Sequence, residues 1–218
     1  MSIDQAFSSL ANHGARWIFW LLVALSVLAL AIAVDRIVLL VASRDDAGRL
    51  RSDLLEALRR GAPARAMEAL RRSASFEAKV LLAGLSSEEA GPAVAEERMA
   101  SASQFAKLTM ERNLSVLATV GTNAPFVGLL GTVIGIIRAF RTLDAAGGRV
   151  SAHLLSEIGE ALVATGVGLL VALPAIAFYN TFQRVISARI ARADALGREV
   201  LAFLKTDPAV FAASRKGA

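Results

Sequence analysis

Two threonines, Thr132 and Thr165, and one carboxylate, Glu160, are the groups in this 218-residue chain best placed to handle an ion in apolar surroundings. Thr132 interrupts the uncharged run Leu114 to Ile137, Thr165 interrupts the uncharged run Ala161 to Phe182, and Glu160 stands one residue before the second run. A hydroxyl can line a narrow passage or order water there, and a carboxylate can take up and release a proton. Proton movement through a membrane interior normally uses titratable side chains, and neither uncharged stretch contains a carboxylate, histidine or basic residue. If protons cross, the central carboxylate is expected from another chain. Simpler readings stand beside these. A threonine in an apolar helix can bond its own i−4 or i−3 carbonyl, and a carboxylate at a helix start, Glu160 or Glu157 a turn earlier, can complement the dipole and stay wet. On an ideal helix Glu160 lies well off the Thr165 stripe, so the two need not share a surface. Asn123 is expected to bridge helices or line a polar cavity, with bridging preferred. Asp35 and Arg36, an adjacent acid and base, are expected to snorkel or pair at an interface.

Other chemistry finds little support. The chain has no cysteine, which removes disulfides, thiolate metal sites and cysteine nucleophiles. His13 and His153 lie outside every apolar run with nothing at metal-ligand spacing, so they read as surface residues and no cofactor is expected. No Gly-rich phosphate loop, G-x-S-x-G or H-E-x-x-H occurs, so an enzyme is not expected. The net charge of +5 comes from basic residues scattered among acids, without the aromatic interleaving of a nucleic-acid surface.

A composition 55% hydrophobic and 20% charged reads as a membrane protein. The run "WIFWLLVALSVLALAIAV" from Trp17 to Val34 is long enough to cross a hydrocarbon core of roughly 30 Å, with tryptophans at one interface. The small residues of "ALAIA" also suit signal cleavage. The leader has no basic residue before Arg16, whereas Arg36, Arg44, Arg49 and Arg51 follow the run, which favours an uncleaved anchor with its N-terminus outside. The expected order is a periplasmic segment over 1–16, a first transmembrane helix over 17–42 and a cytoplasmic helical domain over 43–113. A second transmembrane helix over 114–140, a periplasmic turn over 141–157, a third transmembrane helix over 158–182 and a cytoplasmic helix and tail over 183–218 follow. The basic tail agrees with this orientation; Arg138, Arg141 and Arg149 beside the external turn run against it.

The fold class is therefore all-α and polytopic. Within 43–113, "RLRSDLLEALRRG" and "PARAMEALRRSA" repeat apolar residues at helical spacing and stop at Gly61 and near Ser73. "FEAKVLLAGL" and "EERMASASQFAKLTMERNL" read as helices too, the latter running straight into the second span. The twelve basic and eleven acidic residues of this region nearly cancel, as on solvated helix faces.

The two later spans are built from weak helix formers. Alternating steps of four and three pick out Gly121, Pro125, Gly128, Thr132, Gly135 and Ala139 in one, and Ala161, Thr165, Gly168, Ala172, Ala175 and Tyr179 in the other. Each set is a seam of 3.5-residue period. Lipid gives no hydrophobic reward for bringing helices together, so close backbone approach must hold them, and small residues permit it. The same stripes would equally suit the wall of a narrow, slightly polar pore.

"VLATVGTNAPFVGLLGTVIGIIRAF" followed by "IGEALVATGVGLLVALPAIAFYN" resembles the two core helices of the MotA/TolQ/ExbB proton-channel family, with "APFVGLLGTV" nearest to ExbB and TolQ. The resemblance covers about residues 114 to 183, and "DRIVLL" ends the first helix as the family often does. It implies an inner-membrane homopentamer whose second and third helices, extended into the cytoplasm, enclose a pore. Inside stand the membrane helices of two copies of an ExbD- or TolR-like single-span partner, with an aspartate that carries the proton. It further implies that Thr132 of "GTV" and Thr165 of "ATGVG" line that pore and that Glu160 of "EAL" is titratable or pore-organising. Three spans and no recognisable rotor-binding pattern set the chain apart from the flagellar MotA branch. Energised uptake, envelope maintenance and gliding all stay open as the work done, as do sodium in place of protons and a non-conducting scaffold.

Overall fold

The computed structural model describes residues 16–44, 47–86 and 91–206. The segment expected as periplasmic over 1–16, apart from Arg16, and the end of the tail beyond Thr206 lie outside the described residues, as does His13. Among the described residues seven helices follow one another: α1 Arg16–Ala42, α2 Ala47–Arg59, α3 Pro63–Arg72, α4 Phe76–Leu85, α5 Pro92–Glu111, α6 Leu114–Ala145 and α7 Ala152–Thr206. Among the described residues there is no strand. Helices α1, α6 and α7 are each long and apolar enough to cross a membrane, and the chain is an all-helical, multi-pass membrane protein.

The chain divides into two compact units, Met1–Asp35 with Asn113–Thr181 and Arg36–Arg112 with Phe182–Ala218. In the first, α6 and the first half of α7 form an antiparallel hairpin. Gly121 lies against Ala175 and Ile176, Gly128 against Gly168, and Gly135 against Ala161. α1 joins them through Ile18, which is fully buried and packs beside Gly131. The outward faces keep Phe126, Leu129, Phe140, Leu162, Leu170 and Leu173 exposed, as an apolar solvent allows.

The hairpin turn is shorter than the 141–157 expected from sequence, because one helix runs on to Ala145 and the next begins at Ala152. α6 closes with Gly147 in the left-handed region at φ 63°. The Gly147 amide donates to Asp144 O and the Gly148 amide to Leu143 O, both at 2.9 Å, a Schellman closure that serves two orphan carbonyls. α7 opens at Ser151, whose Oγ accepts from the Leu154 amide at 3.2 Å.

In the second unit consecutive short helices pack on one another around Leu54, Leu70, Leu81, Met110 and Val200. α2 ends in the same Schellman pattern, with Gly61 at φ 65° and the Ala62 amide donating to Ala57 O at 2.9 Å. α4 is capped by Ser75, whose Oγ accepts from the Ala78 amide. One expectation is corrected here. α5 does not run straight into the second span: it stops at Glu111, and Asn113 sits in the left-handed region at φ 63°. Asparagine is among the few non-glycine residues that visit this region readily, and one such residue breaks the helical ladder.

Candidate functional site

The two threonines singled out by their setting meet in the hairpin. Their hydroxyls are within hydrogen-bond contact of each other, and both residues are half-buried. Thr132 Oγ1 also lies 3.2 Å from Ala161 O, and Thr165 Oγ1 lies 3.1 Å from Gly128 O. Each hydroxyl thus reaches the carbonyl one turn before the other threonine on the opposite helix. The Thr132 hydroxyl is farther from its own i−4 carbonyl, Gly128 O, at 3.5 Å.

Each hydroxyl has one proton to donate. In one arrangement Thr165 donates to Thr132, which donates to Ala161 O. In the other Thr132 donates to Thr165, which donates to Gly128 O. No heavy atom moves between them.

Close approach makes this contact possible. A Cβ on Gly128 would stand 2.8 Å from Ala164 O and 3.0 Å from the Thr165 Cα, and one on Gly168 would stand 2.7 Å from Ala124 O. These neighbours are backbone and cannot swing aside, so only glycine fits at the crossing. Gly121, Gly135 and Ala172 are buried along the same seam, and Pro125 is half-buried. Pro125 lacks an N–H, so the Gly121 carbonyl has no i+4 donor, and Pro174 does the same for Leu170 on α7.

The other sequence candidates lie apart from the threonine pair. Glu160 is exposed on α7. Asn123 is exposed, and its Nδ2 donates within its own helix, to Thr119 O at 2.9 Å and to Thr122 Oγ1 at 3.2 Å, so it bridges no helices in this chain. Arg36 is buried in the second unit and donates to Thr109 O at 2.9 Å and Met110 O at 3.4 Å. Those carbonyls are the ones left without helical donors by the break before Asn113. Asp35 beside it is exposed.

Three residues near the hairpin turn gained a role that the linear sequence did not reveal. The Glu157 side chain is only 8% exposed; its Oε2 accepts from Thr142 Oγ1 at 2.9 Å and its Oε1 lies 3.3 Å from Arg138 Nη2. Extending the seven-residue spacing of the α6 seam past Gly135 lands on Thr142, the one signal that pointed there. In the second unit, Arg189 plays the part Arg36 plays. It donates to Leu40 O at 2.7 Å, Ser43 O at 3.2 Å and Ser43 Oγ at 2.8 Å, closing the end of α1. Burial pushes its guanidinium below the ordinary arginine value, with Glu77 opposing that shift.

The model of the MotA/TolQ/ExbB proton channel family matches residues 72–195, more than half of the chain. The chain belongs to this family. An ExbB-like biopolymer transport protein of Helicobacter pylori is 46% identical over 78 residues, 36% of this chain and 52% of that protein. The biopolymer transport protein ExbB of Xanthomonas campestris is 41% identical over 97 residues, 44% of this chain and 38% of that protein. The Tol-Pal system protein TolQ of Pseudomonas aeruginosa is 46% identical over 74 residues, 34% of this chain and 32% of that protein. The chain thus spans about half or less of the relatives it matches. As a MotA/TolQ/ExbB family member it falls among channel proteins, in the ExbB and TolQ part of the family.

Proposed function

We propose that this chain is the channel-forming motor subunit of an ExbB/TolQ-type complex in the bacterial inner membrane. Its N-terminus is periplasmic and its C-terminus cytoplasmic. As a homopentamer it surrounds an ExbD/TolR-like single-span partner, whose aspartate carries the proton, and it couples proton-motive force to periplasmic or outer-membrane work such as energised uptake. Thr132 and Thr165 supply the polar lining and Glu160 a titratable or pore-organising carboxylate. The observation that carries this reading is the family match over residues 72–195. The absence of any carboxylate, histidine or basic residue in the uncharged stretches of the second and third spans supports an outside proton carrier.

A second reading draws on the hydroxyls themselves, which bond across the hairpin and would serve a non-conducting scaffold equally well. Proton flux decides between the two. Vesicles carrying the chain with its partner are expected to conduct under an imposed gradient, and Thr132→Ala with Thr165→Ala is expected to abolish flux while assembly survives. An intact wild-type complex that conducts nothing, even with its periplasmic load engaged, would make the scaffold the better description.

A further inference from the structure

The seam of the hairpin is smooth. Its close contacts, Gly121 with Ala175, Gly128 with Gly168 and Gly135 with Ala161, advance seven residues along each helix per step. Away from the threonine pair and from Ile176, which stands over Gly121, glycine and alanine present no side-chain knob that a small slide or rotation would have to climb over, so most of the seam permits close approach without fixing position.

One step beyond Gly135 the pattern changes. Thr142 stands on α6 where another small apolar residue would continue the seam, and the buried Glu157 faces it. Arg138 and Thr142 are four residues apart on one face of α6, and both reach the Glu157 carboxylate. On α7 the exposed His153, four residues before Glu157, brings its Nε2 within 3.8 Å of Oε1. A buried carboxylate separated from its partners is costly, so any slide that parts Glu157 from Arg138 and Thr142 is opposed. Two residues at i, i+4 meeting one carboxylate define a single position along the helix pair.

We infer that Glu157 is a positioning residue, clasped by Arg138 and Thr142, that locks the α6–α7 hairpin in the alignment placing Thr132 against Ala161 and Thr165 against Gly128. Its consequence for conduction rests on the proposed function; its consequence for hairpin geometry does not.

Spin labels at Phe140→Cys and Leu155→Cys, both exposed positions in a chain without native cysteine, report the alignment near the turn in the full complex in bilayers. The labelled parent is expected to give one narrow distance. Glu157→Leu is expected to broaden the distribution at least twofold, Glu157→Gln to broaden it less because the amide still accepts from Thr142, and Arg138→Glu to broaden it by repulsion. Exchanging the pair, Arg138→Glu with Glu157→Arg, is expected to narrow it again and to restore flux. A narrow distance in Glu157→Leu, or an exchanged pair that stays broad, overturns the clasp. Narrow distances together with lost flux in Glu157→Gln also overturn it, because the carboxylate would then act on the proton and not on the hairpin. A parent that conducts nothing defeats the proposed function, and the distances still decide the clasp.

Discussion

The hairpin of α6 and α7 and the helical unit built from α2 to α5 face the same demand by opposite means. Both must satisfy backbone groups and hold helices together. In the hairpin this is done by subtraction: side chains shrink to glycine and alanine until backbones touch, and the carbonyls at the crossing are met by two hydroxyls. In the second unit it is done by addition, with Arg36 and Arg189 reaching across to close the ends of α5 and α1. The contrast follows the solvent. A guanidinium in the middle of a bilayer is expensive, so a span can use only small polar groups there, whereas outside such a stretch an arginine can bury its head against several carbonyls at once.

The largest effect that would break this comparison comes from refilling the seam. Gly128→Leu drives a side chain into the Ala164 carbonyl and the Thr165 Cα, and overpacking of this kind costs about 1–3 kcal/mol or more. Gly166→Ala meets nothing within 4 Å and is expected to leave the melting temperature in detergent unchanged or slightly raised, since alanine is the better helix former. Equal losses from both substitutions would show that the seam is not held by close approach. Next in size is Arg189→Met, which leaves the Leu40 and Ser43 carbonyls without their donor and is expected to cost about 1–3 kcal/mol in the same measurement. Arg189→Lys is expected to recover less than half of that, because one ammonium cannot reproduce the fork that serves both carbonyls. Full recovery by lysine would reduce the role of Arg189 to charge.

The smallest effect belongs to the exposed pair Arg51 and Glu199, joined at 2.6 Å. The hydrogen bond from Arg51 holds the Glu199 carboxyl below its ordinary value, with desolvation opposing. A carboxyl depressed on folding stabilises the folded state above its unfolded pKa, and the contribution disappears as pH falls through the lowered folded value. Arg51→Gln is therefore expected to lower the melting temperature slightly at neutral pH and not at all once the solution is acidic enough to protonate Glu199. A difference that persists at low pH would assign the effect to something other than this pair.

The three spans and the small-residue seam were legible because length and a 3.5-residue period are local properties. Gly61 and Ser73 were legible as helix ends for the same reason. The break at Asn113 was not: "MERNLSV" contains neither glycine nor proline, and its left-handed asparagine is favoured by a tertiary contact, the Arg36 head resting on the carbonyls the break exposes. Glu157 was legible as a charge near a helix start and not as a clasp, because its partners lie 15 and 19 positions earlier and depend on how the turn aligns the two helices. Asn123 shows the complementary case. Its amide had a local partner, Thr119 O, that a pattern of helix faces does not reveal.

The two proton arrangements of the Thr132 and Thr165 hydroxyls carry one more consequence. Carbonyls in an α-helix point toward its C-terminus, and α6 and α7 are antiparallel, so Gly128 O and Ala161 O point in opposite directions along the membrane normal. Turning both hydroxyls from one arrangement to the other therefore reverses a small electric dipole at the centre of the hairpin without shifting a heavy atom. The crossing thus holds a two-position compass needle, whose settings differ only in where two protons lie.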